Sequence, residues 1–172
     1  MSTRNFDVLV VGGGMVGMCL AHQLMERGIS SSIAILDKEP ELGRHSSGRN
    51  TGVLHAGLYY KPGSLKAKVC VNGARRLRAW VIDRRLPLYS CGKVIVPPRY
   101  ELDIQLDVLA ERGIANGATV EIWDEQQLRE LIPEARSASG RARWSPNTAV
   151  VKPIKVVKKL QKELEERGVS FL

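Results

Sequence analysis

Apolar positions in the first forty residues fall into blocks separated by glycine and polar residues. The run from Phe6 to Val11 is short, rich in valine and ends in glycines, the pattern of a parallel strand buried on both faces. Met15, Met18, Cys19, Ala21, His22 and Met25 then recur at helical spacing on one broad face, and Gly28 follows as a left-handed stop. Ile33 to Leu36 repeats the buried-strand pattern. Strand, glycine turn, helix and strand together predict a βαβ unit with a right-handed crossover.

Periodicity is lost from Asp37 to Gly63, a polar, glycine-bearing stretch too long for an ordinary connection and therefore a candidate for function. Ser64 is placed to cap a helix from Leu65 to about Ile82, whose stripe reads Leu65, Val69, Gly73, Leu77, Trp80 and Val81. Tyr89 to Val96 reads as one strand, Pro97-Pro98 as a breaker, and Leu102 to Asn116 as a helix stopped by Gly117. Val120 to Ile122 is strand-like, and Asp124 with Gln127 has capping-box spacing for a short helix ending near Pro133. Pro153 opens a helix running to Arg167, and Val169 to Leu172 begins another strand.

The composition, 44% hydrophobic over 172 residues, suits a packed core rather than disorder. Cys19, Cys70 and Cys91 are odd in number with no C-x-x-C pair, which argues against zinc or a redox dithiol and predicts reduced, mostly buried thiols. No metal site is expected. The glycines at 12 to 14 interrupt the longest apolar stretch well below the roughly 20 residues that span a bilayer, and no secretory signal is expected. A formal charge of +8 is spread over helices (Arg75, Arg76, Arg78; Lys155, Lys158, Lys159, Lys162) without a nucleic-acid motif. That predicts solvated helix faces and no nucleic-acid partner. A cytoplasmic location follows, with peripheral contact to acidic lipid on the inner membrane face left open.

Chemistry concentrates first at Gly12, Gly14 and Gly17, a G-x-G-x-x-G between the first strand and first helix. One glycine permits the turn, the next lets a pyrophosphate approach, and the third packs helix on strand. The helix amino end then presents free N–H groups to phosphate. Asp37, at the end of the second strand, is placed to accept hydrogen bonds from an adenosine ribose, with Lys38 beside it. These residues predict a dinucleotide and do not choose between NAD and FAD.

The following segment, Gly43-Arg44-His45-Ser46-Ser47-Gly48-Arg49-Asn50-Thr51-Gly52-Val53-Leu54-His55-Ala56-Gly57-Leu58-Tyr59-Tyr60, resembles the flavin-facing loop of the D-amino-acid-oxidase-like flavoprotein superfamily. The block from His55 through Tyr59-Tyr60-Lys61 to Lys68 is similar to the L-2-hydroxyglutarate oxidase and dehydrogenase family, with Cys91-Gly92-Lys93 and Ser145-Pro146 as further landmarks. The resemblance implies FAD as cofactor. It implies that Ser46 and Ser47 help hold the FAD phosphates, that Asn50, Thr51 and Gly52 lie against the flavin, and that His55 sits near flavin and substrate as a base. An imidazole suits that role because its unperturbed pKa lies near working pH. Tyr59, Tyr60, Lys61 and Lys66 are candidate donors to a dicarboxylate. His22 and His45 read as ordinary surface or helix residues.

The implied fold is a three-layer α/β arrangement: a Rossmann-like FAD-binding βαβ unit with a partial parallel sheet, plus the start of an α+β substrate domain. The division read from sequence is 1–85 for the first part of the FAD-binding domain, 86–141 for a partial substrate domain, and 142–172 for the FAD-binding continuation. The implied reaction oxidises an L-2-hydroxy acid, L-2-hydroxyglutarate to 2-oxoglutarate, by hydride transfer to the flavin, with oxygen or a quinone as electron acceptor. The alternatives are an amine, amino-acid or glycerol-phosphate oxidoreductase of the same superfamily, or a truncated, catalytically inert fragment. Two departures from the family stand out. Lys152 sits where an acid usually precedes the helix at Pro153, and a lysine neither caps N–H groups nor suits the positive dipole end, which weakens that helix start. Family chains also continue past this length, so the isolated chain is expected to lack hydroxy-acid oxidase activity.

Overall fold

The computed structural model of the chain describes residues 4–172. They form two compact units, one made of the residues up to Gly52 together with Lys152–Leu172, the other of Val53–Val151.

In the first unit the βαβ pattern is realised as β1 (Val8–Val11), α1 (Met15–Glu26) and β2 (Ile33–Leu36). The late segment adds α5 (Pro153–Glu166) and β9 (Ser170–Phe171). The sheet is parallel, in the order β1-β2-β9, with Val10 beside Ile35 and Ile35 beside Phe171. Successive strands advance in one direction, so crossovers of one hand carry α1 and α5 to the same face, where the two helices pack together. Met18 and Ala21 of α1 and Val156, Val157, Leu160 and Leu164 of α5 are buried there. The opposite face is open among the described residues: Leu9 is 55% and Val11 79% exposed. Instead of three layers the unit shows two, and β1 alternates between faces where a doubly buried strand was expected. Lys152 makes no side-chain cap, yet α5 begins at Pro153 as predicted. Four buried side chains, each contributing roughly 1.5–3 kcal/mol when fully buried, outweigh a missing cap of about 1 kcal/mol.

The second unit carries two antiparallel sheets. β3 (Val53–Leu54) and β4 (Leu88–Tyr89) flank β8 (Ala149–Val151), and β5 (Lys93–Ile95) and β6 (Glu121–Asp124) flank β7 (Arg141–Ser145). Around them lie α2 (Leu65–Asp83), α3 (Ile104–Ala115) and α4 (Glu125–Leu131). The expected strand from Tyr89 to Val96 is two strands in different sheets, broken at Cys91-Gly92. Gly92 has φ +65°, and a Cβ there would lie 1.9 Å from the Trp144 ring. Trp144 in turn stacks on Trp123 at 4.8 Å, so the break is set by an indole pair across β6 and β7.

The inward stripe of α2 also differs from expectation. Leu65, Val69 and Gly73 of the expected stripe are exposed, Leu77 and Trp80 are half-buried and Val81 is buried, while Ala67, outside the stripe, is buried as well, so only the second half of the helix follows the pattern. The Asp124–Gln127 capping box on α4 is present as read. The three thiols form no disulfide, and Cys19 and Cys91 are exposed rather than buried.

Two arginines fix β7 to α3. Arg143, 3% exposed, donates through Nε to the Leu106 carbonyl at 3.1 Å and pairs with Asp107. Arg141 pairs with Asp103 and lies 2.7 Å from Asp107. The Arg141 guanidinium, with lesser help from Arg143, holds the Asp107 carboxyl below its ordinary pKa. A guanidinium this buried is tolerated because carboxylate and carbonyl oxygens meet it.

Candidate functional site

The glycine turn of the first unit is built for close approach. A Cβ at Gly17 would lie 2.0 Å from the Gly12 carbonyl oxygen, so no other residue lets α1 begin this near the end of β1. Gly14 occupies the N-cap without a side-chain hydrogen bond. The Met15 N–H donates to Ser47 Oγ at 2.9 Å, which leaves the Ser47 hydroxyl hydrogen able to donate to an anion at the same helix end.

Asp37 closes the turn from the other side. One of its oxygens accepts from the Gly13 N–H at 2.6 Å and the other from the Glu39 N–H at 2.9 Å. The Glu39 bond first, then the Gly13 bond, hold the Asp37 carboxyl below its ordinary pKa, so it stays ionised near neutrality. Each carboxylate oxygen retains a second lone pair for a ribose hydroxyl. A cleft of about 350 Å³ opens here, lined by Asp37, Lys38, Glu39, Pro40, Leu42 and Gln161 among others.

The loop beyond is held by its own groups. Asn50 donates to the Ser46 and Ser47 carbonyls and accepts from the Gly52 N–H, which folds residues 46–52 into a compact turn. Ser46 and Thr51 are exposed, while Gly52 is buried. His45, read from sequence as an ordinary surface residue, lies 2.9 Å from Glu39 and keeps that carboxyl below its usual pKa.

In the second unit, His55 follows β3. The Asn116 amide at the end of α3 donates to the Gly57 and Tyr60 carbonyls at 2.8 and 2.9 Å, pinning the loop beyond the histidine. Local sequence marks Asn116 only as a helix end, because its contacts span more than fifty residues. The Cys70 thiol of α2 lies 3.7 Å from the His55 carbonyl. His55 Nδ1 is buried without a hydrogen-bond partner. Burial first, then the charge of Lys93, push its pKa below the ordinary value, so the ring is neutral and able to take a proton.

Residues 7–172 match the model of a family described as FAD dependent oxidoreductase. The chain belongs to that family. Among curated relatives of this FAD dependent oxidoreductase chain, the Caenorhabditis elegans protein named L-2-hydroxyglutarate dehydrogenase, mitochondrial, is 40% identical over 95% of the chain and 37% of its own length. The Homo sapiens protein of the same name is 37% identical over 99% of the chain and 37% of its own length. The chain thus spans a little over a third of these relatives.

The Mycoplasma pneumoniae L-alpha-glycerophosphate oxidase, solved reduced with FAD bound, superposes with a TM-score of 0.84 at 26% identity, covering 100% of this chain and 45% of that one. Glycine oxidase from Geobacillus kaustophilus gives a TM-score of 0.85 at 20% identity, over 99% of this chain and 47% of that one, which speaks for the fold alone. FAD is the cofactor of the family. The Gly12–Gly17 turn, the ionised Asp37 and the cleft beside it fit the adenosine half of FAD.

Proposed function

We propose that the protein containing this chain oxidises L-2-hydroxyglutarate to 2-oxoglutarate. Similarity to proteins named L-2-hydroxyglutarate dehydrogenase, extending over 94–99% of the chain in relatives as distant as Homo sapiens and Dictyostelium discoideum, carries this reading of the substrate. Bound FAD would supply the two-electron acceptor for the hydride from C2, with oxygen or a quinone as the final electron acceptor. In this reading Gly12, Gly14, Gly17, Ser46 and Ser47 attend the phosphates, Asp37 and Lys38 the ribose, and Asn50, Thr51 and Gly52 the flavin side. His55 accepts the substrate hydroxyl proton, a task supported by its neutral ring and unpartnered buried Nδ1.

No helix among the described residues is long and apolar enough to cross a membrane. The exposed lysines 155, 158 and 162 of α5 support a peripheral contact of a cytoplasmic protein with acidic lipid. The named relatives cited above are mitochondrial by name.

The test is a substrate panel on the protein translated from the complete reading frame, with L- and D-2-hydroxyglutarate, glycine and glycerol 3-phosphate, following dye reduction. Preferred turnover of the L-hydroxy acid is expected. Preference for glycine or glycerol phosphate would replace this reading with an amine or glycerol-phosphate one.

A further inference from the structure

The second unit brings a third group to His55 that sequence reading assigned no role. Lys93 on β5 donates from Nζ to the Tyr59 hydroxyl at 2.9 Å and stands 4.2 Å from the centre of the Tyr59 ring. The Tyr59 ring meets the His55 ring edge to face, 5.8 Å between centroids. Histidine, phenol and ammonium therefore form one continuous patch from two chain segments 34 residues apart. Tyr59 is 44% exposed, so the patch reaches solvent.

Among the described residues no carboxylate forms an ion pair with Lys93. An ammonium offers three donors, and the tyrosine takes one of them. The other two, with the phenol, make a fork suited to the two oxygens of a carboxylate.

We propose that Lys93 and Tyr59 form the anchoring subsite for a substrate carboxylate beside His55. The inference rests on the hydroxy-acid reading above and deepens it. In a 2-hydroxy acid the hydroxyl that loses its proton is on the carbon next to a carboxylate, so base and anchor must be neighbours. The charges make the pairing productive. The groups facing His55 are the Tyr59 phenol and Lys93, with the neutral Cys70 thiol at its backbone carbonyl. A carboxylate seated on Lys93 cancels the positive charge that disfavours the imidazolium, and His55 becomes a stronger base when substrate is present.

The experiment follows the histidine Cε1–H signals of the 172-residue chain by NMR across pH, with glutarate as a redox-inert dicarboxylate probe. In the native sequence glutarate should raise the His55 titration midpoint saturably and leave His22 and His45 in place. Lys93→Met should raise the midpoint without glutarate and abolish the response, and Lys93→Arg should restore it. Tyr59→Phe should weaken glutarate on the order of tenfold, the loss expected for one hydrogen bond to a charged group. Glutarate leaving His55 unmoved, or acting equally on Lys93→Met, overturns the subsite.

A second measurement on the complete flavin-loaded protein stands apart from folding of the shorter chain. Lys93→Met should raise KM for the hydroxy acid by about ten- to a hundredfold while Lys93→Arg stays near the native value. An unchanged KM with L-2-hydroxyglutarate turnover intact sinks the anchor but leaves the function standing. A glutarate response at Lys93 in a protein that oxidises no hydroxy acid sustains the anchor and sinks the substrate.

Discussion

At the scale of single residues, the two sharpest expectations concern Asp37 and His55. Asp37 ties the glycine turn to Glu39 and keeps lone pairs for a ribose, so Asp37→Ala should weaken FAD by about 10- to 100-fold, the worth of one or two charge-assisted hydrogen bonds. Flavin fluorescence or calorimetry on the complete protein checks this, and unaltered FAD retention would remove Asp37 from the site. His55→Ala should keep the yellow flavin and slow its reduction by about 10²–10⁴, the usual span for a lost general base. Stopped-flow reduction by L-2-hydroxyglutarate reads it directly. His55 also links stability to pH. Its pKa is lower in the folded chain than the ordinary 6.5, so the folded state binds fewer protons there. The contribution is complete above that value and is lost as pH falls through the folded pKa, and urea midpoints from pH 7 to 5 should decline less steeply in His55→Asn. Of these groups the glycine turn and Asp37 were legible as local spacing around one βαβ unit. The Lys93–Tyr59–His55 patch was not, because nothing in either segment encodes its partner.

Elements show the same division between local and distant causes. α4 was readable because a capping box spans only Asp124 to Gln127. β7, the middle strand of its sheet, went unread because its alternation rests on only two apolar residues, Ala142 and Trp144, and the burial of Arg143 between them depends on Asp107 and the Leu106 carbonyl from α3. The break between β4 and β5 was hidden for a like reason, since it answers to Trp144 rather than to its own neighbours. Gly92→Ala must adopt a left-handed backbone and displace that indole, so it should lower stability by at least about 1–3 kcal/mol. Near-ultraviolet dichroism of the Trp123–Trp144 stack would report the displacement, and an unchanged signal would mean the ring has room to move. In the first unit, Leu164→Ala should cost about 2–5 kcal/mol, because the side chain is completely buried. The exposed Leu65→Ala, by contrast, should cost under about 1 kcal/mol despite its larger role in the sequence-read stripe. Parallel urea melts separate the two.

For the whole molecule, the two compact units divide at 52/53 and 151/152. That division arises because β3 and β4 both pair with β8, which draws α2 and the residues around it into the second unit. The Val53–Val150 pairing also sets the two ends of that unit side by side. The first unit is thereby interrupted in sequence, and this has a consequence for synthesis on the ribosome. β1, α1 and β2 emerge first, but α5 and β9, which cover α1 and pair with β2, follow only after about a hundred intervening residues. At roughly 5–20 residues per second that is a wait of about 5–20 s. Throughout it one edge of β2 and the apolar flank of α1 have no native partner, so the nucleotide cradle of the nascent chain is open to association with its neighbours until α5 and β9 arrive.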